Sequence, residues 1–213
     1  FYSGNDKRNL KVLNKNIRNA KRYDVVDLNR VTFNTNTNSV DGIDNGKYFV
    51  PIVKGGNIKY FKPDNWFMEW STQRVDFFKK DKKARYQNAS YYFKKGIAVP
   101  MVSSSSVTGA LIENRLFDQS IVGVFPKDDD KLYYLLAFFN SPTCNKLIRT
   151  INPSTNNSSN YIKKIPFLMP EEQILKNITQ NTKKIVSQLK CDSSFGEDLE
   201  KENNALIERL YGF

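Results

Sequence analysis

The spacing of apolar positions changes several times along this chain, and each change predicts a different kind of element. Leu10, Leu13 and Ile17 share one face at helical spacing, so residues 7–18 (KRNLKVLNKNIR) predict a short helix, broken by the Asn and Thr cluster from Asn34 to Asn38. From Lys47 to about Pro126 short apolar or aromatic runs (YFVPIV, KYF, NWFMEW, YYFKKGIAV, SIVGVF) alternate with Gly, Pro, Asn and Ser, which is the pattern of strands and turns. Residues 131–149 (KLYYLLAFFNSPTCNKLIR) predict a buried helix interrupted near Ser141 and Pro142. Pro153, Asn156 and Asn157 mark a loop, and Pro166 and Pro170 bracket a short apolar segment. Pro170, Glu171 and Glu172 make a helix start, with proline in the first turn and acids favourable to the dipole. Ile174, Ile178, Ile185 and Leu189 then form one stripe, and after the turn CDSSFG the residues Leu199, Leu206 and Leu210 form a second. These stripes predict an antiparallel helical hairpin that either packs on its own domain or pairs with a partner.

Composition narrows the class. Of 213 residues 39% are hydrophobic and 13% aromatic, too many for a disordered tail. No run approaches eighteen apolar residues, so neither a membrane span nor a secretory signal is expected, and the protein is read as soluble and cytoplasmic. A start at Phe1 suggests a piece of a longer polypeptide. The absence of histidine removes Ser-His-Asp and Cys-His catalysis and most zinc chemistry. Cys144 and Cys191 have no motif spacing and are read as reduced thiols filling core or surface.

The formal charge of +11 is unevenly spread: residues 1–43 carry +4, 44–100 carry +7, 101–166 carry +2 and 167–213 carry −2. The densest stretch is Lys79, Lys80, Asp81, Lys82, Lys83, Ala84, Arg85, followed by Lys94 and Lys95. Such a cluster is the footprint of a polyanion site, because neutralising phosphates releases condensed counterions. The competing reading is a solvated face, since 24 Lys against 9 Arg, with 24 Asn, is a bias that AT-rich coding produces by itself.

Candidate chemistry is sparse. VKGGN at Val53 to Asn57 lacks the spacing and the terminal Lys-Ser or Lys-Thr of a P-loop, and reads as a tight turn or a close backbone approach to a phosphate. The run Ser103 to Ser106 offers hydroxyls without a base, and Asp128, Asp129, Asp130, Lys131 reads as an exposed acidic turn rather than a nuclease fragment. Asn152, Pro153, Ser154, Thr155 begins like the Asn-Pro-Pro-Tyr tetrapeptide with which adenine methyltransferases hold a flipped base, but lacks the second proline and the stacking aromatic. With no glycine-rich cofactor loop upstream, a complete methyltransferase is excluded.

Several segments in order resemble one family. They are SGNDKR at Ser3 to Arg8, YFVPIVKGGNIKYF at Tyr48 to Phe61, NWFMEW, Tyr91 to Pro126, LLAFFNSPTCNKLI, INPSTNNSSNYIKKIPFLMP and the closing LIERLYGF. Together they span essentially the whole chain and are similar to the target-recognition (specificity) domain of adenine-specific DNA methyltransferases of restriction-modification systems. These are type IIG enzymes and related phage-defence methyltransferases, with distant likeness to type I specificity subunits. Ser154 stands where that family usually has Thr, and the segment SSSSVTGALIEN lacks an arginine often found there.

The resemblance implies an α/β (α+β) fold, with a mixed or antiparallel sheet and a C-terminal antiparallel helical hairpin. It implies a DNA target-recognition domain over 1–166 and a hairpin over 167–213 that packs on that domain or on the methyltransferase. The function implied is sequence-specific recognition of double-stranded DNA that positions an adenine for a separate catalytic domain. That domain would bind S-adenosylmethionine, and this chain would hold no catalytic residue, metal or cofactor of its own. Expected DNA contacts are Lys54, Asn57, Lys59 and Tyr60 around the glycine turn, then Lys79, Lys80, Lys82, Lys83 and Arg85. Ser103, Ser104 and Ser105 with Asn156 and Asn157 are expected too, while Trp66, Phe67 and Trp70 are expected in the core. The alternatives are a stand-alone specificity subunit that meets a catalytic chain through the hairpin, a nuclease with a disguised site, and a protein-binding module with incidental basicity.

Overall fold

The structure, a computed structural model, describes residues 2–3, 24–57, 59–84, 86–103, 106–191 and 197–213, and only the backbone for 2–3 and 24–25. The helix expected over 7–18, the opening SGNDKR segment beyond Ser3, and most of the CDSSFG turn lie outside the described residues. The fold is an α+β mixture, as the sequence led us to expect. The chain divides into two units, one formed by Phe1–Lys54, Asp64–Lys95 and Glu113–Asp118, the other by Gly55–Pro63, Gly96–Ile112 and Gln119–Phe213.

The first unit holds a five-stranded mixed sheet. Its strands are β1 (Tyr2–Ser3), β2 (Asp24–Val25), β3 (Phe49–Val53), β4 (Trp66–Glu69) and β7 (Leu116–Phe117), in the order β2-β1-β4-β3-β7. β1 pairs with β2 and β3 with β7 in parallel, while β4 is antiparallel to both β1 and β3. Every residue of β3 is buried, because both sheet faces are covered. Val50 and Ile52 join Trp70, Val75, Tyr92, Phe93 and Leu116 on one side; Phe49, in the opposite phase, joins Val26, Val31 and Phe67 on the other.

Helix α1 (Thr72–Lys80) falls in a region that the sequence pattern assigned to strands and turns. Ser71 caps its start, accepting from the Arg74 N–H at 3.3 Å, and Val75 and Phe78 turn inward. The run Tyr91 to Phe93, expected as strand, leaves a short 3-10 turn at Ala89–Tyr91 and drops Tyr92 and Phe93 into the core beside Trp70.

In the second unit an antiparallel sheet of β5 (Gly96–Pro100), β6 (Ala110–Ile112) and β8 (Ile121–Val124), ordered β6-β5-β8, packs with helices. Phe125 lies across the glycines of two neighbouring strands: a Cβ on Gly96 would stand 2.4 Å from its ring, and one on Gly123 2.5 Å. The apolar run after Asp128 forms α2 (Asp129–Asn140) and α3 (Pro142–Ile151), broken where the sequence placed the interruption. Ser141 caps α3 by accepting from the Cys144 N–H at 3.1 Å, and Pro142, lacking an N–H, suits the first turn. The three aspartates stay exposed, with Asp129 and Asp130 in the first turn of α2 rather than in a free turn.

After α4 (Ser159–Ile162), α5 (Glu172–Lys190) and α6 (Glu197–Tyr211) form the expected antiparallel hairpin. Asn203 bridges Asn181 and Thr182 at 3.3 and 3.1 Å midway along the pair. At its far end the Tyr211 hydroxyl donates to the Pro166 carbonyl and accepts from the Leu168 N–H just before α5 begins. The first stripe packs inward through Ile178 and Ile185, fully buried in one core with Leu132, Tyr134 and Phe138 of α2. Of the second, Leu199, Leu206 and Leu210 are only partly buried, and the residue fully buried there is Ile207, which the stripe omitted. Phe167, Leu168 and Met169, between the two prolines, are partly exposed. Among the described residues no helix is long and apolar enough to cross a membrane.

Candidate nucleic-acid interface

Among the described residues the first unit carries a formal +1 and the second +4; the basic excess read over residues 1–43 lies in 4–23, outside the described residues. In the first unit the basic stretch runs from the last turn of α1 into the loop behind it. Lysines in a final turn complement the helix dipole, and the N-cap of Ser71 fixes where that turn falls. Lys80, Lys82 and Lys83 are exposed and make no ion pair among the described residues. Lys79 instead binds Asp41 at 2.8 Å, and that hydrogen bond raises its pKa above the ordinary lysine range. Arg85 lies outside the described residues. Lys54, at the end of β3, spreads its ammonium over the Trp66 ring at 4.3 Å from the centroid.

A second cluster is built wholly within the second unit, and it brings together three segments that the sequence separates. The Asn57 amide donates to the Ser103 hydroxyl at 3.3 Å, and that hydroxyl donates to the Ser106 carbonyl. The Ser103 N–H reaches the Thr155 carbonyl at 3.0 Å, and the Asn157 N–H reaches the Met101 carbonyl at 2.6 Å. Arg149, projecting from the last turn of α3, ties two of these segments through the carbonyls of Ser154 (2.6 Å) and Ser103 (3.0 Å). Asn152 organises its own loop by accepting from the Ser154 N–H and hydroxyl and donating to the Asn156 carbonyl. The Asn-Pro-Ser-Thr segment is therefore a self-bonded turn whose first asparagine is buried.

Exposure divides the expected contacts. Asn57, Lys59 and Asn156 are exposed, whereas Ser103 and Asn157 are buried, and Ser104 and Ser105 lie outside the described residues. Among the described residues neither side-chain amide atom of Asn157 has a hydrogen-bond partner. Tyr60 is fully buried with φ +62°, its hydroxyl donating to Glu200 at 3.2 Å. Burial is the main cause that pushes its pKa far above the usual tyrosine value, with the Glu200 charge adding to it. Lys59 binds the same Glu200 oxygen at 2.7 Å. Tyr60 thus sits in a core rather than on a surface, because the bend at Gly56 (φ +132°) returns the chain to pair with Ala110.

Gly55 donates its N–H to the Ser120 hydroxyl at 2.7 Å and accepts from the Lys62 ammonium at 2.8 Å. The glycine pair leads into this extended pairing and not into a helix, so it does not form the phosphate cradle of a P-loop. Sequence reasoning missed Arg149 and Glu200, and met Asn152 only as the start of an Asn-Pro motif. Helical phase alone could have placed Arg149 one turn before Asn152; nothing local marks Glu200 as the partner of a residue 141 positions away.

No protein-family model matches the chain. The chain is related to a segment of an adenine-specific methyltransferase: it is 30% identical over 180 residues to the adenine-specific methyltransferase BrxX of Escherichia coli O9:H4 (strain HS). The match covers 80% of this chain and spans about 14% of that relative's length.

Proposed function

We propose that this chain is the sequence-recognition domain of an adenine-specific DNA methyltransferase of the restriction-modification or phage-defence kind. It grips duplex DNA and leaves methyl transfer to a catalytic domain outside it. The observation that carries this reading is that most of the chain aligns with a small fraction of a long adenine methyltransferase. A slice of that size, without histidine or a cofactor loop, suits a domain that supplies binding energy and register. S-adenosylmethionine and the target adenine would belong to the neighbouring catalytic domain. Lys80, Lys82 and Lys83 would contact phosphates, while Lys54, Asn57, Lys59 and Asn156 would add polar contacts of their own. Lys79, engaged by Asp41, and Lys59, engaged by Glu200, would contribute less.

Salt titration of duplex binding tests the reading. Each phosphate neutralised contributes about −0.9 to the slope of log K against log salt, so changing Lys80, Lys82 and Lys83 together to Gln should flatten the slope by about 2–3 and weaken all sequences alike. A slope that stays the same in the triple variant, or a wild-type chain that ignores DNA at low salt, removes the proposal in favour of a protein-binding module.

A further inference from the structure

Helix α1 carries one residue that its packing does not account for. Its core-facing positions are Val75, fully buried, and Phe78, whose ring centre lies 6.1 Å from that of Trp70. Phe77 stands about 100° round the helix from Phe78 and about 160° from Val75, and it is 51% exposed. Arg74 and Lys80 flank it at i−3 and i+3, so one outward stripe of α1 reads cation, aromatic, cation. The Arg74 guanidinium carbon is 5.8 Å from the Phe77 ring centre and is held there by two bonds to Glu69, at 3.2 and 3.0 Å. Lys82 and Lys83 follow immediately beyond the helix. Asp76 and Asp81 are the acids of this stretch, against the five cations Arg74, Lys79, Lys80, Lys82 and Lys83.

A single exposed aromatic is ordinary on a protein surface. The company of this one is not: a half-exposed ring stands near Lys80, Lys82 and Lys83, whose ammonium groups make no carboxylate pair among the described residues. The occupant that satisfies both is a polyanion whose charges border an apolar, stacked interior. Duplex DNA has that construction, with phosphates along the groove edges and thymine methyls and base edges between them. We infer that Phe77 is a specificity-determining residue that packs its ring against base pairs, while Lys80, Lys82 and Lys83 hold the flanking phosphates. The inference rests on the recognition role proposed above and names the surface that does the reading.

The test uses the full chain. Short duplexes of random sequence are selected on it, and affinities for the selected duplex and for a mixed-sequence duplex are compared across salt for wild type, Phe77→Ala and Phe77→Leu. The ratio of selected to mixed affinity should fall about tenfold or more in Phe77→Ala and less in Phe77→Leu, which keeps apolar bulk. Binding to the mixed duplex, its salt slope and the melting temperature should remain those of wild type. Undiminished discrimination by Phe77→Ala overturns this inference alone, as does a variant that melts early and loses both duplexes equally. A wild-type chain from which selection enriches nothing overturns the recognition role together with it.

Discussion

Asn140 and Asn157 are both buried asparagines, and their side chains stand in opposite hydrogen-bonding states. Asn140, at the last position of α2, accepts from the Gly109 N–H at 3.0 Å and donates to the carbonyls of Gly109 and Leu136 at 2.8 Å each. Asn157 satisfies its backbone N–H through Met101 but, among the described residues, both amide atoms of its side chain are without partners. An unmade buried hydrogen bond carries the desolvation cost of its group, about 1–3 kcal/mol, whereas removing an already unpaired group removes a cost. Leucine has nearly the same size as asparagine, so the same substitution separates the two cases. Asn140→Leu should lose about 2–4 kcal/mol, because it strands the Gly109 N–H in the core. Asn157→Leu should leave stability unchanged or raise it by up to about 1 kcal/mol. Urea denaturation of the two variants beside wild type reads this directly, and equal losses at both positions would mean that Asn157 has a role its contacts do not show.

At the scale of elements, legibility followed the density of apolar residues. The stretch KLYYLLAFFN could be read as a buried helix because nearly every position is apolar, and Ser141-Pro142 announced both a stop and a new start. Ser141 does two jobs there: its oxygen accepts from Cys144 and its hydroxyl donates to Phe138 at 2.7 Å, so Ser141→Ala should cost about 1–2 kcal/mol in thermal or urea unfolding, whereas an uncapped exposed serine would cost nothing measurable. Helix α1 escaped notice for the opposite reason. Only Val75 and Phe78 of its nine residues face inward, which is less than the periodicity argument needs, and the lysines beside it drew the eye to charge instead of to phase. Tyr60 was legible as part of a glycine-turn segment but not as a core residue, since its burial depends on pairing with Ala110 and on Glu200, both far along the chain. The same limit applies to the basic stretch: counting found Lys79, Lys80, Lys82 and Lys83, and only the fold shows that Asp41 occupies the first of them.

Over the whole molecule the buried protons predict a one-sided response to pH. Tyr60, Tyr134 and Cys144 all lie in the core of the second unit, and burial is the first cause that raises each of them. An unfolded chain releases these protons at ordinary values, about 10 for the phenols and 8.5 for the thiol, while the folded one retains them. Below those values folded and unfolded states bind equal numbers of protons and stability does not depend on these groups. Above them the unfolded state holds fewer, so stability falls as pH rises, by about 1.4 kcal/mol per pH unit for each group once it is fully released. The decline should begin near pH 9 with Cys144 and steepen past 10 as the two tyrosines join. Urea midpoints measured at neutral pH and at intervals up to pH 11 would trace it, and Tyr60→Phe should make the alkaline limb shallower by one group's slope. A midpoint that stays level from pH 8 to 11 would mean that these side chains meet water more freely than their burial allows.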